Sequence, residues 1–395
     1  MGSLPTKNNT PSNDLPQGFH GLVTNAGVKD DSDDVTLIHC HEQCSAAGVF
    51  TKSRFAGPSV ELSRSHVADG AARATVIISK NANVANGQRG TDDAIEITER
   101  VAAVLGCTPE EVLIASTGVI GRPYPMDRIR PALDGLDPLQ SAATLENLAR
   151  GIMTTDTVPK ISHSIIGAGP AVVAGIAKGV GMIEPDMATM IAVILTDASV
   201  SSPELDAVFR RVVDRTFNCV SIDTDTSTSD TAIVMASGVH GLVDAVEFEA
   251  SLEAVCTDLA RQIAADGEGA ETLIEVVVDG ARDDDQAKRV AKSIVNSPLV
   301  KTAVHGADPN WGRVAMAIGK CNDDDLDPEA VVIRFGDCEV YPTRLDDLAL
   351  GDLSTYLTAD EVLIHVSLGI ADGHARVWGC DLTDGYVRIN ADYTT

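Results

Sequence analysis

The chain has 395 residues, of which 44% are apolar, enough for two or three domains with a large buried core. Its 58 acidic and 30 basic side chains give a net charge of −28, which repels phosphate backbones and anionic headgroups. Nucleic-acid and membrane partners are therefore disfavoured, and no apolar run reaches the ~20 residues of a membrane helix. Eight scattered cysteines indicate buried free thiols in a reducing cytoplasm.

The first 18 residues are polar and lack an apolar core, so we predict a disordered tail over 1–18 and no signal peptide. Beyond it, short apolar runs alternate with amphipathic stretches, a pattern typical of an α/β fold with layered sheets. The predicted strands are Val35–Cys40, Thr75–Ser79, Val112–Ser116, Thr189–Leu195, Thr231–Ala236, Leu273–Val278, Val331–Val340, Val362–Val366, Ala375–Gly379 and Tyr386–Ile389. The predicted helices are Asp92–Leu105, Pro203–Thr216, Glu247–Ala265 and Asp284–Val295. A boundary near residue 285 would separate a catalytic α/β domain (19–285) from a C-terminal α/β domain (286–395).

A metal-like cluster, HCHEQC, runs from His39 to Cys44. On a strand, His39 and His41 point to one face and Cys40 to the other. Zinc sites usually draw their ligands from two separated pairs, and no second pair follows at a familiar spacing. We therefore interpret the cluster as the end of a strand with incidental polar residues, and predict no metal.

Nucleotide-binding and hydrolase motifs are missing from the sequence. No GxGxxG joins a strand to a helix, and neither GxxxxGK[ST] nor GxSxG occurs. The remaining candidates for a catalytic triad, His163, His240, His305 and His374, have no motif context. We therefore predict no cofactor.

One stretch suggests self-cleavage. A glycine-rich turn after Lys178 runs into Ala188 and Thr189, which precede an apolar strand. The Thr189 hydroxyl could attack the Ala188 carbonyl, and hydrolysis of the resulting ester would leave Thr189 as a new N-terminus. Its α-amine, with a pKa of about 7.7–8.0, could serve as the base for its own hydroxyl. Because Ala-Thr pairs are common, this pattern alone favours a loop that enters a strand.

The stretch Lys178–Met190 is one of several motifs that follow one another in a fixed order between residues 20 and 395. The others are Ser116–Gly121, Met153–Thr157, Ser221–Asp230, Asp266–Ala270, Asn296–Lys301, Asp308–Arg313 and Asn390–Thr395. Together they resemble the ornithine acetyltransferase (glutamate N-acetyltransferase) family. So many ordered matches make the resemblance specific, although each motif alone would be weak.

The resemblance implies a fold, a processing event and a set of site residues. The fold is a layered αββα-type α/β sandwich with a smaller C-terminal α/β domain. Cleavage between Ala188 and Thr189 would give chains 1–188 and 189–395, assembled as α2β2. Thr189 would be the nucleophile, and Thr117 and Gly118 would form an oxyanion hole. The implied substrate-binding residues are Thr154, Lys178, Thr189, Glu268, Asn390 and Thr395.

The implied reaction is a ping-pong transfer in the cytoplasm. N-acetylornithine would acetylate Thr189, ornithine would leave, and glutamate would take the acetyl group. The stretches Asn81–Gly87 and Phe55–Val60 are closer to paralogues from antibiotic gene clusters, such as that for clavulanic acid. The acyl acceptor, the physiological role and the use of acetyl-CoA as donor therefore stay open. Alternatives are an autoprocessed amide hydrolase, an acyltransferase of secondary metabolism, and a catalytically silent binding protein.

Overall fold

The computed structural model describes residues 13–184 and 190–392 and folds them around two sheets. The strands of the larger sheet are β1 (Phe19–Thr24), β2 (Val35–Phe50), β3 (Ala71–Ile78), β4 (Val112–Ser116), β5 (Lys160–Ile165), β6 (Val172–Lys178), β7 (Ile191–Thr196) and β8 (Thr231–Ala236). Their order is β4-β3-β2-β8-β7-β6-β5, and β1 pairs with β2. No helix in the described part of the chain is long and apolar enough to cross a membrane.

The larger sheet folds over at β2, which has 16 residues. The first part of β2 pairs with β1 and β3, and the part after residue 44 pairs with β8. The two halves of the sheet share one apolar cluster, to which Ile38, Ile77 and Ile233 contribute from different strands. The long strand therefore links two sheet layers that pack face to face, and burial of that interface stabilises the fold.

Helices pack on both sheets. In the described part of the chain they are α1 (Pro58–His66), α2 (Gly87–Leu105), α3 (Met126–Asp134), α4 (Leu145–Gly151), α5 (Ser202–Arg215), α6 (Ala245–Ala265), α7 (Asp284–Val295), α8 (Pro298–His305), α9 (Trp311–Gly319), α10 (Asp347–Tyr356) and α11 (Asp384–Asp392). Helices α2 and α3 share an apolar cluster with β2, β3 and β4. On the other layer, α5 packs on β2 and α6 on β5 and β6, and both share an apolar cluster with β7 and β8. This order of layers agrees with the αββα sandwich that the resemblance implies, and the α/β class is confirmed.

The second sheet completes the core. Its strands are β9 (Leu273–Ala281), β10 (Val332–Phe335), β11 (Cys338–Tyr341), β12 (Glu361–Ser367) and β13 (Gly373–Cys380), in the order β11-β10-β12-β9-β13. One apolar cluster runs from the larger sheet through α5 and α6 into this sheet. A boundary at residue 285 separates β9 from both strands that pair with it, so the second sheet begins before that boundary. The division into domains stays a prediction.

The end of the chain differs from its predicted secondary structure. The strand predicted for residues 386–389 is wrong, because these residues lie in α11. An ion pair between Arg388 and Asp384 spans one turn of this helix. A run of four residues is too short for periodicity to distinguish a strand from a helix. The single strand predicted over 331–340 is a hairpin, because the chain turns at Gly336 with a φ of +57°. The cysteines are all free thiols, as predicted, but Cys107, Cys321 and Cys338 are partly exposed and not buried.

Part of the predicted tail is fixed to the body of the protein. The Asn13 carbonyl and side chain accept hydrogen bonds from the backbone N–H groups of Leu145 and Glu146. Gln17 donates its N–H to Asp197 at 3.1 Å. The prediction of a disordered tail is therefore wrong for residues 13–18, because Asn13 supplies the acceptors for N–H groups at the start of α4. Residues 1–12 lie outside the described chain.

Candidate active site

A cavity of about 350 Å³ opens where β4 and β6 of the larger sheet end. Separate segments of the chain form its walls, and each predicted site residue that the structure describes contributes to it. These residues are Thr117, Gly118, Thr154, Lys178, Glu268 and Asn390. The predicted cleavage pair Ala188 and Thr189, and the predicted binding residue Thr395, lie outside the described residues.

The turn after β4 brings two hydrogen-bond donors to the cavity. Thr117 donates its N–H to the Ile78 carbonyl at 3.1 Å, which leaves its hydroxyl as the available donor. Among the described residues, no group accepts a hydrogen bond from that hydroxyl or from the Gly118 N–H. Gly118 has a φ of +132°, and a Cβ there would lie 2.2 Å from the carbonyl carbon of Lys80. Only glycine fits this turn, and its two donors suit a developing oxyanion.

A second loop holds this turn in place. Ala82 donates its N–H to the Val119 carbonyl at 3.1 Å, and Gly121 donates to the Val84 carbonyl at 2.9 Å. The two loops therefore pair like short strands beyond the ends of β3 and β4. The donors of Thr117 and Gly118 depend on this pairing for their positions.

Lys178 supplies a buried positive charge. It is the last residue of β6, only 4% exposed, and its Nζ lies 3.8 Å from Asp156 Oδ2. Asp156 also binds Lys160 Nζ at 2.8 Å and accepts the Gly179 N–H at 2.7 Å. Burial alone would raise the pKa of Asp156, but Lys178, Lys160 and the backbone donor outweigh it and hold that pKa at about 2. Asp156 is thus an anion that orients Lys178, whose ammonium can still bind a substrate carboxylate.

Asp230 directly precedes β8 and is fully buried. Strand β7 lies between β8 and β6, the strand that ends at Lys178. Its Oδ1 accepts the Met190 N–H at 2.7 Å, but its Oδ2 has no hydrogen-bond partner among the described residues. The Thr51 hydroxyl lies nearby and donates to the Ser227 carbonyl instead. Burial raises the pKa of Asp230 well above its usual range. Asp230 thereby fixes the residue that directly follows the predicted nucleophile.

Glu268 supplies a negative charge to the same cavity. It follows the end of α6, and its N–H donates to the Val180 carbonyl at 2.8 Å. Asn390 Nδ2, from α11, donates to its carboxylate at 2.9 Å. A Cβ at Gly181 would lie 2.6 Å from that carboxylate, so glycine leaves room for it. The partly exposed Glu268 carboxylate is placed to bind a substrate ammonium.

The sequence did not single out three hydroxyl-bearing residues that line the same cavity. Ser227, Thr228 and Ser229 precede β8 and are held by backbone contacts. Thr51 donates its hydroxyl to the Ser227 carbonyl at 2.8 Å, and Gly57 donates its N–H to the Thr228 carbonyl at 2.9 Å. The available signal was the run of Ser and Thr just before a buried strand, which in the sequence contributes only to the resemblance.

Comparison with known proteins identifies the family to which this chain belongs. The model of the ArgJ family matches residues 21–395. The chain belongs to the ArgJ family. It is 55% identical over 381 residues to "Arginine biosynthesis bifunctional protein ArgJ 2" of Nostoc sp., covering 96% of this chain and 98% of that protein. It is also 55% identical over 387 residues to "Glutamate N-acetyltransferase Oat2" of Streptomyces clavuligerus, with the same two shares covered.

Among solved structures, an "Arginine biosynthesis bifunctional protein argJ" from Bacillus halodurans is 43% identical. It covers 51% of this chain and 98% of its own, with a TM-score of 0.48. The resemblance found in the sequence is confirmed by the family match and by the two relatives. Because those relatives are equally similar to this ArgJ chain, identity does not separate arginine biosynthesis from a role in a paralogous pathway.

Proposed function

We propose that this ArgJ-family protein is a glutamate N-acetyltransferase that takes the acetyl group from N-acetylornithine through an acetyl ester on Thr189. One observation carries the proposal. Residues distant in sequence form one cavity that combines two available donors at Thr117 and Gly118, a buried cation at Lys178 and a carboxylate at Glu268. The names of its relatives support the same chemistry.

The first step is self-cleavage. The Thr189 hydroxyl attacks the Ala188 carbonyl, the peptide bond breaks as the Thr189 amine leaves, and water hydrolyses the ester to a free Ala188 carboxylate. The hydrogen bond from the Met190 N–H to Asp230 supports this step, because it anchors the chain one residue beyond the new N-terminus. The products are chains 1–188 and 189–395, which we propose remain together as an α2β2 assembly in the cytoplasm.

Acetyl transfer uses the new amine as the base. The Thr189 hydroxyl attacks the acetyl carbonyl of N-acetylornithine and gives its proton to the Thr189 α-amine. The Thr117 hydroxyl and the Gly118 N–H stabilise the oxyanion, which collapses as the ornithine α-amine takes the proton and leaves. The α-amine of glutamate then attacks the Thr189 ester, and the same steps in reverse release N-acetylglutamate.

Charge distinguishes the two substrates. Lys178 binds the α-carboxylate that both share, and Glu268 binds the distal ammonium of ornithine. Glutamate carries a distal carboxylate, which Glu268 would repel. We therefore assign that carboxylate to the hydroxyl groups of Ser227–Ser229, which line the same cavity.

Intact mass after incubation with N-acetylornithine tests the nucleophile. The wild type should give two chains, with an acetyl adduct on chain 189–395, whereas Thr189→Ala should remain one chain because no hydroxyl attacks Ala188. Thr355→Ala, at a hydroxyl on the distant helix α10, is the matched control and should behave like the wild type. Cleavage of the Thr189→Ala chain, or an adduct on chain 1–188, contradicts the mechanism.

The oxyanion hole is tested at Thr117. Thr117→Ala should lower kcat by about 10²–10³-fold, the cost of removing one oxyanion donor, in protein that has been fully processed. Thr117→Ser keeps the hydroxyl and should recover most of the activity. Equal turnover in Thr117→Ala and the wild type removes this residue from the site.

An amide hydrolase is the alternative that the same cavity allows, because water could replace the second amine. Measurement of acetate and N-acetylglutamate, with and without glutamate, separates the two reactions. Transfer predicts that N-acetylglutamate equals the ornithine released. Acetate in that amount, unaffected by glutamate, identifies a hydrolase, and a panel of other amines then tests for an acceptor from secondary metabolism.

A further inference from the structure

Three imidazole rings cluster on one face of the ribbon formed by β1 and β2. His20 pairs directly opposite His39, and His41 follows two residues along β2 on the same face. The ring centroids are 4.6 Å apart for His20 and His41, 5.4 Å for His20 and His39, and 6.2 Å for His39 and His41. The sequence left His39 and His41 without further ligands, and the fold supplies His20 from a different strand.

One of these rings has a buried nitrogen without a partner. His39 is only 1% exposed, and its Nε2 has no hydrogen-bond partner in the described chain. Buried polar atoms in folded proteins are almost always hydrogen-bonded or bound to a ligand. His41 is exposed and His20 is partly exposed, so a small ion could reach the cluster from solvent.

We propose that His20, His39 and His41 form a binding site for a divalent transition metal ion such as Zn²⁺ or Co²⁺. Imidazole nitrogens bind such ions at about 2.0–2.1 Å, which places three rings of a tetrahedral site with centroids about 5 Å apart. The three centroid separations bracket that value, but the ligand nitrogens of the three rings do not all lie within 4.8 Å of one another. The rings of His20 and His39 are stacked at 24°, so binding requires the rings to rotate toward the ion. Water completes the fourth position, as in zinc sites with three protein ligands.

The site lies far from the acetyl-transfer cavity. His39 pairs with Ala74 in β3, and Ala74 pairs with Val112 at the start of β4, whereas Thr117 follows the end of β4. Five residues of strand separate the two places by about 15 Å. A bound ion would therefore join β1 to β2 and stabilise the fold, without contact with the reacting groups.

Arg73 sets a limit on the affinity. Its Nε donates to the Cys40 carbonyl at 3.3 Å, so its positive charge lies beside the ribbon and opposes a cation. We therefore expect weaker binding than at zinc sites that contain thiolates. The Cys40 thiol does not contribute, because it lies on the other face and donates to the Gly18 carbonyl.

Titration of metal-stripped protein without an affinity tag tests the site. Co²⁺ should bind with a stoichiometry of one per chain and give the intense visible absorption of tetrahedral coordination. Zn²⁺ should displace Co²⁺ and raise Tm, while the rate of acetyl transfer stays unchanged.

Variants decide which residues bind the ion. His41→Gln and His20→Gln should each weaken Co²⁺ binding at least about tenfold, and they leave the buried His39 in place so that folding is retained. His374→Gln removes an exposed histidine elsewhere and should bind like the wild type. The absence of saturable binding, a weak octahedral spectrum, or wild-type affinity in both His41→Gln and His20→Gln would overturn the proposal.

Discussion

Two buried aspartates lie on opposite sides of β6, and their surroundings differ. Asp156 contacts two lysines and accepts backbone N–H groups with both of its oxygens. Asp230 accepts one N–H, from Met190, and its second oxygen has no partner among the described residues. The pKa of Asp156 is held at about 2, whereas that of Asp230 is raised by burial.

The difference shows that burial alone does not decide the charge of a side chain. An anion persists at Asp156 because its partners offset the cost of desolvation, and it is this anion that orients Lys178. Asp230 has fewer donors to offset its burial, so its pKa is raised, and it anchors the backbone of Met190 by accepting that N–H. The buried anion that pairs with Lys178 is therefore Asp156.

The largest effect is expected when the ion pair is broken. Asp156→Ala leaves the fully buried Lys160 with Asp266 as its remaining carboxylate partner, and should lower the free energy of unfolding by about 3–5 kcal/mol. Asp206→Ala removes an exposed pair with Arg210 and should change it by less than about 1 kcal/mol. Thermal unfolding at neutral pH compares the variants, and equal losses would contradict the distinction.

The dependence of protein stability on acidic pH should also report the ion pairs of Asp156. Because the pKa of Asp156 is lower in the folded protein than in the unfolded chain, its stabilising contribution is complete above about pH 4 and is lost as the pH falls toward 2. Asp156→Ala should therefore show a smaller loss of stability than the wild type over that interval.

A third carboxylate, partly exposed, is expected to matter for catalysis instead. Glu268→Gln keeps the shape of the side chain but removes the charge that binds ornithine. The kcat/KM for N-acetylornithine should fall by the equivalent of about 1.5–3 kcal/mol, while that for glutamate should not fall. Steady-state rates with each substrate varied in turn measure both. Unchanged use of N-acetylornithine would make Glu268 a solvated charge at the end of α6.

The pH dependence of stability tests Asp230. The pKa of Asp230 is raised in the folded state, so the unfolded chain releases this proton first as the pH rises above about 4. The free energy of unfolding of the wild type therefore falls as the pH rises above that value. Asp230→Asn retains an acceptor for the Met190 N–H and has no proton to lose. The stability of Asp230→Asn relative to the wild type should therefore increase from pH 4 to pH 7. A difference that is constant with pH would show that Asp230 is ionised in the fold.

The local sequence was sufficient to predict those strands and helices whose hydrophobic pattern fits only one type of secondary structure. Val112–Ser116 and Thr231–Ala236 are buried on both faces, and as continuous apolar runs they were predicted with their observed bounds. Asp284–Val295 has acidic residues in its first turn and an apolar face, and was also predicted correctly. The ordered motifs indicated the residues that form the cavity, because each motif retains the residue types that its part of the chemistry requires.

Only the tertiary structure decided which of those residues lie close together and how their surroundings shift their pKa values. The strand β1 places His20 beside His39, which no spacing in the sequence indicates. Likewise, the unlike pKa values of Asp156 and Asp230 arise from groups distant in sequence, and α11 is a helix although its short apolar run was predicted as a strand. Local sequence determines propensity and residue chemistry, whereas burial and long-range partners determine charge and proximity, because these depend on which strands and loops pack together.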